Sequence, residues 1–437
     1  MTGPAGPPCP RYLTGPEARR LGRRLQASFW KYLVRPRSYP LFRMRASRGG
    51  ILANRKLLTG AGLCKVIEFD GTYRFSLSTP RWPSHVFDRM AAGGGLNVAA
   101  AGTPAKRQID MAILGITRKC AYRCRSCYER DSLSAEDTLP VSLWAEAVRG
   151  LQHWGTSVIV LSGGEPMLRS EGVLSLLRSA DHDHSEFHLH TTGQGVTDDI
   201  AAAFRRAGLS AVGIGLDDDD PGRHDEMRGR RGAFEDAIRA LGSFRRAGVF
   251  LYLNTCLSSP FIRSGGLPRL AEKAAEWGVG IIRLLEPRPC GLAGERDVPM
   301  VLSDADRESA ATFYEIANKN PGFPAFPLIS YEAYIEHPDR LGCRMGGLSH
   351  LSISGRGDVQ PCVFLPVSFG NIAEENISAI LLRMRAAVPR PLRRACPAET
   401  LAPLLREKSQ NHPATPVAFE AIREEWESLF SPSASPS

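Results

Sequence analysis

Between Ile109 and Pro287 the chain alternates between short apolar runs and longer segments whose apolar residues recur every three or four positions. The runs IDMAILGI, TSVIVLSGG, SEFHLHTTG, LSAVGIGLD, VFLYLNTCLS and VGIIRLLEP read as six strands. The segments between them read as helices: VSLWAEAVRGLQHWG, with Val141, Trp144, Val148 and Leu151 on one face, then EGVLSLLRSAD, DDIAAAFRRAG, GAFEDAIRALGSFRRAG and GLPRLAEKAAEWG. Four helices end at a glycine just ahead of a strand, Gly155, Gly208, Gly248 and Gly278, and glycine tolerates the left-handed conformation that closes a helix. FRRAG occurs at both 204–208 and 244–248, as two equivalent helix ends would. Alternation this regular predicts an α/β fold with parallel strands and right-handed crossovers. Six units suit an open sheet or an incomplete barrel, and either places ligands at the carboxyl ends of the strands.

The flanks follow no such rhythm. Residues 1–108 are irregular, with FDGTYRF reading as a hairpin. Residues 288–437 mix short strands, turns and helices, and the tail SPSASPS is expected to be disordered. The predicted organisation is an N-terminal extension over 1–108, a core over 109–287 and a C-terminal domain over 288–437. A length of 437 residues agrees with two or three domains.

Charge changes the picture at one end only. Between Arg11 and Arg48 there are 11 Lys/Arg against one acid, Glu17, a surplus of ten in a chain whose net charge is +9. The segment also carries Phe29, Trp30, Tyr32, Leu33, Tyr39, Leu41 and Phe42. Basic residues interleaved with aromatics suit an acidic peptide, an anionic membrane surface or nucleic acid. They equally suit a solvated basic helix that packs on the body through its aromatics. No apolar run approaches the ~20 residues that span a bilayer, and MTGPAGPPCPRYLTGPEARR lacks the apolar centre of a secretory signal. The expected location is the cytoplasm, where the ten cysteines are metal ligands, catalytic groups or core residues rather than disulfides.

Three of those cysteines, Cys120, Cys124 and Cys127 in ITRKCAYRCRSCYER, directly follow the first strand. Four-cysteine zinc sites show two paired motifs; here one tight group of three stands alone. Three thiolates can hold three irons of a [4Fe–4S] cluster and leave the fourth iron open for a small molecule. One unit later SGGEP, Ser162 to Pro166, closes the second strand. The CxxxCxxC spacing together with GGEP resembles the radical S-adenosylmethionine (SAM) superfamily.

That resemblance implies a partial (β/α)6 TIM-type barrel with a basic N-terminal extension. It also implies SAM chelated to the open iron by its amino and carboxylate groups, reductive cleavage with an electron from a reductant such as ferredoxin or flavodoxin, and hydrogen abstraction from substrate. Gly163, Gly164, Glu165 and Pro166 then belong to the SAM site, the glycines for close backbone approach and Glu165 as acceptor for the methionyl ammonium. Thr192 in LHTTGQ stands where the family often has Asn. GIGLDDDDPGRHDEMRG resembles the family's Ser-Leu-Asp-Gly stretch, with Gly215 in place of Ser and Asp217 as a polar candidate. Tyr128, just after the cluster motif, fits many members. Tyr128, Cys290 and Glu286 are candidates by position for a base or hydrogen donor. His188 and His190 read as strand histidines, and Asp217 to Asp220 as a cation site or as a turn capping the next helix.

Farther on, CRMGGLSHLSISGRGDVQPC joins Cys343 to Cys362, with Gly357 five residues before the second. ISGRGDVQPC reads as strand, tight turn, strand. This resembles the auxiliary-cluster extension of SPASM and twitch members, a small α+β domain, in its shortened one-cluster form with Cys396 as a third ligand. Cys290, in EPRPCGLAG, is the fourth ligand if its loop folds back; otherwise substrate, water or another side chain fills the place, or the module has lost its cluster. Cys256 reads as core. The resemblance implies maturation of a peptide, or dehydrogenation or modification of a small-molecule or lipid substrate. Two other classes remain: a non-catalytic iron–sulfur carrier or sensor, against which GGEP argues, and a zinc-dependent nucleic-acid binder, which the cysteine spacing disfavours, so that no nucleic-acid partner is expected.

Overall fold

The structure is a computed structural model and describes residues 8–34, 65–93, 109–134, 136–290, 301–320, 326–409 and 416–431. Its N-terminal part is a small antiparallel sheet of β1 (Arg11–Thr14), β2 (Lys65–Phe69) and β3 (Thr72–Arg74), accompanied by helices α1 (Gly15–Val34) and α2 (His85–Gly93). The expected hairpin is β2–β3: Asp70 and Gly71 both take positive φ, 48° and 70°, as a two-residue turn between twisted strands requires. Helix α1 buries Ala18, Leu21 and Leu25 against Phe87 and Trp82, and exposes Arg19, Arg20, Arg23 and Arg24. Tyr39, Leu41 and Phe42 lie outside the described residues, as do the side chains of 29–34.

The six predicted strands all form, in order: β4 (Met111–Thr117), β5 (Val158–Gly163), β6 (Glu186–Thr191), β7 (Leu209–Gly215), β8 (Phe250–Cys256) and β9 (Ile281–Leu285). Each pairs in parallel with the next. The connecting helices are α3 (Val141–His153), α4 (Ser170–Ser179), α5 (Asp198–Arg206), α6 (Pro221–Arg228), α7 (Ala233–Arg246) and α8 (Gly266–Glu276). Helix α6 is the element the sequence reading left as a turn. Asp220 caps it by accepting from the Arg223 amide, and Pro221 opens its first turn.

Helix α9 (Asp304–Lys319) leads into β10 (Leu328–Tyr331), which extends the sheet in parallel beyond β9. On the other side β11 (His350–Ile353) lies parallel to β4, and β12 (Val359–Gln360) folds back antiparallel on β11. The spatial order is β10-β9-β8-β7-β6-β5-β4-β11-β12, an α/β sheet of nine strands with no closed barrel among the described residues. The sheet thus continues past residue 287 on both edges. Its strands are buried on both faces, as parallel strands covered twice must be. Ala112, Leu114, Ile159 and Leu161 face the helices, whereas Met111, Ile113, Val158 and Val160 face inward.

The small N-terminal sheet plugs the inward face at the amino ends of the strands. Phe69 meets Phe250 edge-on at 5.4 Å, the Tyr12 hydroxyl donates to the Val279 carbonyl at 2.6 Å, and Arg74 pairs with Glu186 at 3.0 Å. Phe250 and Glu186 are the first residues of β8 and β6. The described part of the N-terminal extension, exposed arginines included, therefore sits at the end opposite the loop that carries Cys120, Cys124 and Cys127. No described helix is long and apolar enough to cross a membrane.

Candidate active site

Cys120, Cys124 and Cys127 occupy the loop that leaves the carboxyl end of β4. The loop is fastened from three sides. The Arg123 and Arg125 amides donate to the Arg228 and Met227 carbonyls at 3.2 and 2.9 Å, tying it to the end of α6. The Arg118 amide and the Thr117 hydroxyl donate to Asp137 at 2.8 and 2.9 Å. The Gly164 and Glu165 amides donate to the carbonyls of Thr117 and Lys119 at 2.9 and 2.7 Å. Inside the loop, the Tyr122 amide donates to the Cys120 sulfur at 3.4 Å. Burial pushes the Cys120 thiol up to about 11 and Cys127 up to about 12, and the neighbouring cysteines add to both. A metal centre would hold such crowded, desolvated thiols as thiolates. Three cysteines at spacings of four and three, with no fourth beside them in the loop, fit three irons of a [4Fe–4S] cluster better than a four-ligand zinc site.

The glycines of SGGEP serve the protein's own backbone. A Cβ on Gly164 would lie 2.2 Å from the Lys119 carbonyl oxygen, and one on Gly163, where φ is +126°, 2.4 Å from that of Thr117. Both residues are therefore the point of close contact between β5 and the cysteine loop. Glu165 is fully buried and saturated. One carboxylate oxygen accepts from the Thr191 hydroxyl at 2.6 Å and the Met167 amide at 3.0 Å; the other accepts from the Thr192 amide at 2.7 Å and hydroxyl at 2.6 Å. Three of these four bonds tie it to the end of β6. Thr192, the residue in place of Asn, is one of those donors. Pro166 is buried at the start of a single 3-10 turn that Glu165 caps.

Asp217, at the end of β7, is 2% exposed and is gripped by Arg228 through two contacts of 2.8 Å, with the Cys256 amide donating to it at 3.0 Å. The replacement of Ser by Gly215 has a steric reason: a Cβ there would meet the Arg228 guanidinium at 2.7–2.9 Å. Burial raises both the Cys124 and Cys256 thiols, against which Arg228 favours ionisation of Cys124 and Ser126, in the cysteine loop, that of Cys256. Cys256, read from sequence as core, thus stands at the end of β8 beside the site. The other acids of the run are satisfied by protein: Asp218 by Arg223 at 2.7 Å and Asp219 by Arg269 at 3.1 Å. His188 and His190 point inward against Tyr252, at 5.7 and 5.8 Å, and burial holds both below the usual imidazole range.

Tyr128 leans from the cysteine loop toward the C-terminal segment, its ring edge-on to Phe364 at 5.9 Å. Glu286, just past β9, is buried and tied up: the Tyr331 hydroxyl donates to it at 2.5 Å, Arg307 at 3.2 Å, and Arg288 lies 3.3 Å away. The C-terminal thiols Cys290, Cys343, Cys362 and Cys396 are each partly buried and raised by burial.

Residues 114–258 match the model of the Radical SAM superfamily, and residues 343–399 match that of an iron–sulfur cluster-binding domain, SPASM. The chain carries a radical SAM domain followed by a SPASM extension, with a SAM-binding [4Fe–4S] cluster and auxiliary cluster chemistry as the corresponding cofactors. An AdoMet-dependent heme synthase of Oleidesulfovibrio alaskensis is 26% identical over 64% of this chain and 75% of its own length. A PqqA peptide cyclase of Ruegeria pomeroyi is 26% identical over 56% of this chain and 66% of its own. Among solved structures, Streptococcus suis SuiB bound to precursor peptide SuiA shares the fold, with a TM-score of 0.51 at 16% identity, over 62% of this chain and 64% of SuiB. The chain thus spans less than two thirds of SuiB.

Proposed function

We propose that this chain reductively cleaves SAM at the cluster held by Cys120, Cys124 and Cys127 and abstracts hydrogen from a peptide substrate. The observation that carries the radical SAM reading is the bolted loop: three thiols at the carboxyl end of β4, pinned by the Gly164 and Glu165 amides. When bound, the cluster and SAM supply a 5′-deoxyadenosyl radical for hydrogen abstraction. The protein's part is to hold the loop and keep water out. Thr191, Thr192 and Glu165 lock the ends of β5 and β6 together, and Arg228 neutralises Asp217 beside the thiols. Single-electron reduction from a ferredoxin or flavodoxin completes the scheme.

A peptide substrate draws support from the names of the PqqA peptide cyclase relative and of SuiB with its precursor peptide. A second reading, a heme-type tetrapyrrole, draws support from the heme synthase relative. The test is anaerobic. Reduced protein with SAM alone should form 5′-deoxyadenosine, and the Cys120→Ala/Cys124→Ala/Cys127→Ala variant should lose about four of roughly eight irons. An intact cluster that forms no 5′-deoxyadenosine would make the chain an electron carrier. Stimulation of cleavage by synthetic acidic peptides supports the first substrate class, and stimulation by iron porphyrins the second.

A further inference from the structure

We infer that Cys290 joins Cys343, Cys362 and Cys396 in one four-thiol site, so that the second cluster is held at every iron by protein. The inference rests on the SPASM reading but goes past the matched segment, since Cys290 lies 53 residues ahead of it. Three fasteners assemble the site. The amides and carbonyls of Cys343 and Leu392 exchange two hydrogen bonds of 2.9 Å, which brings Cys343 alongside the segment that runs into Cys396. The Gly346 amide donates to the Pro361 carbonyl at 3.0 Å, which brings the neighbour of Cys362 to within three residues of Cys343. The third fastener recruits Cys290. Arg288 contacts Glu286 at 3.3 Å and forms an ion pair with Glu399, whose amide donates to the Cys396 carbonyl at 2.9 Å. The Cys290 amide turns back onto the Arg288 carbonyl at 2.7 Å.

Arg288 is therefore a positioning residue: its guanidinium straps the loop that ends β9 to the turn that carries Cys396. The thiols register one another. Burial is the main influence on each; Cys362 and Cys396 both bear on Cys290 and on Cys343, and Cys127 of the first site bears on Cys290 more weakly. Arg288, 14% exposed, adds the positive charge that a cube with four thiolate ligands needs nearby. A cube closed in this way offers no iron to substrate. Its role is confined to moving electrons, and Phe364, two residues past Cys362 and in edge contact with Tyr128, marks where it approaches the first site.

The experiment uses full-length protein carrying Cys120→Ala/Cys124→Ala/Cys127→Ala, reconstituted without oxygen so that only the second cluster remains. Iron and sulfide are counted, and the EPR spectrum of the reduced sample is recorded with and without imidazole. The expected result is about four irons and a spectrum that imidazole leaves unchanged. Adding Cys290→Ala should lose iron, or keep the cube with a spectrum that now responds to imidazole, and Cys290→Ser should fall between. Cys9→Ala, an exposed cysteine far from the site, should match the parent. A parent spectrum that already responds to imidazole, or a Cys290→Ala variant with unchanged iron and spectrum, overturns the fourth-ligand assignment. A parent that holds no iron overturns the second cluster itself and is recognised before Cys290 is touched.

Discussion

Gly164→Ala isolates the contact on which the site is built. Gly164 does not need a left-handed backbone, so alanine there carries no conformational penalty. The penalty is steric. Its Cβ would stand 2.2 Å from the Lys119 carbonyl oxygen and 2.7 Å from its carbon, both backbone atoms that cannot rotate away. Ordinary contact begins near 3.4 Å, so the cysteine loop must retreat by about 1.2 Å. A shift of that size breaks the hydrogen bonds of 2.9 and 2.7 Å that the Gly164 and Glu165 amides make to Thr117 and Lys119. At about 1 kcal/mol net for each bond, plus the strain that remains, the expected destabilisation is roughly 2–3 kcal/mol. Cys120 follows Lys119 directly, so the thiol geometry moves too. The assay pairs denaturant unfolding of the apo protein with iron counting and EPR after anaerobic reconstitution, with and without SAM. Gly222→Ala, whose Cβ would meet only the Asp220 side chain at 3.3 Å, is the control. If Gly164→Ala unfolds like wild type, binds the full iron complement and shows the wild-type spectral response to SAM, the loop is not held where the contact implies.

Gly215→Ser should push the Arg228 guanidinium, the far end of a long side chain, away from Asp217, which keeps the Cys256 amide as a donor. Denaturant melts should show a loss of about 1–2 kcal/mol, and Gly215→Ala should lose a similar amount, since the clash begins at Cβ. Glu186→Gln should cost about 3–5 kcal/mol at neutral pH. Burial opposes ionisation of Glu186, but Arg74, His188 and Arg81 outweigh it and hold the carboxyl well below the usual range, so the pair's contribution should survive in melts at pH 4 and vanish only in stronger acid. Lys65 is buried, donates to the Phe326 carbonyl at 3.1 Å, and is pushed down to about 8 by burial. Its folded pKa lies below the unfolded 10.5, so stability should rise between pH 8 and 10.5, by up to about 3 kcal/mol, and Lys65→Met should flatten that slope.

The parts of this molecule that were legible in the sequence are those written in one stretch. Period-two and period-3.6 patterns mark β4 to β9 and their helices, and the glycines at 155, 208, 248 and 278 do take the positive φ expected of helix ends. The cysteine spacing likewise lies within eight residues. What the sequence hid is what distant segments do to one another. Strand β11, four residues long, becomes a neighbour of β4 from 239 residues away, as His350 pairs with Met111. Arg288 and Glu399 are 111 apart, so the strap that recruits Cys290 leaves no local mark. The Thr191 and Thr192 donors to Glu165 lie a βα unit away and leave no mark in its motif. Helix α6 was within reach: Asp220 followed by Pro221 is a start signal, masked by the polarity of PGRHDEMR.

The pairing of β11 with β4 also orders events in time. Until His350 to Ile353 leave the ribosome, one edge of β4 has no strand beside it, though the cysteine loop it carries is already outside. At typical synthesis rates that interval lasts roughly 10–50 s. A nascent chain in this state offers both a sticky border to other chains and bare thiols to oxidants. Iron loaded before β11 emerges would be loaded onto an unfinished wall.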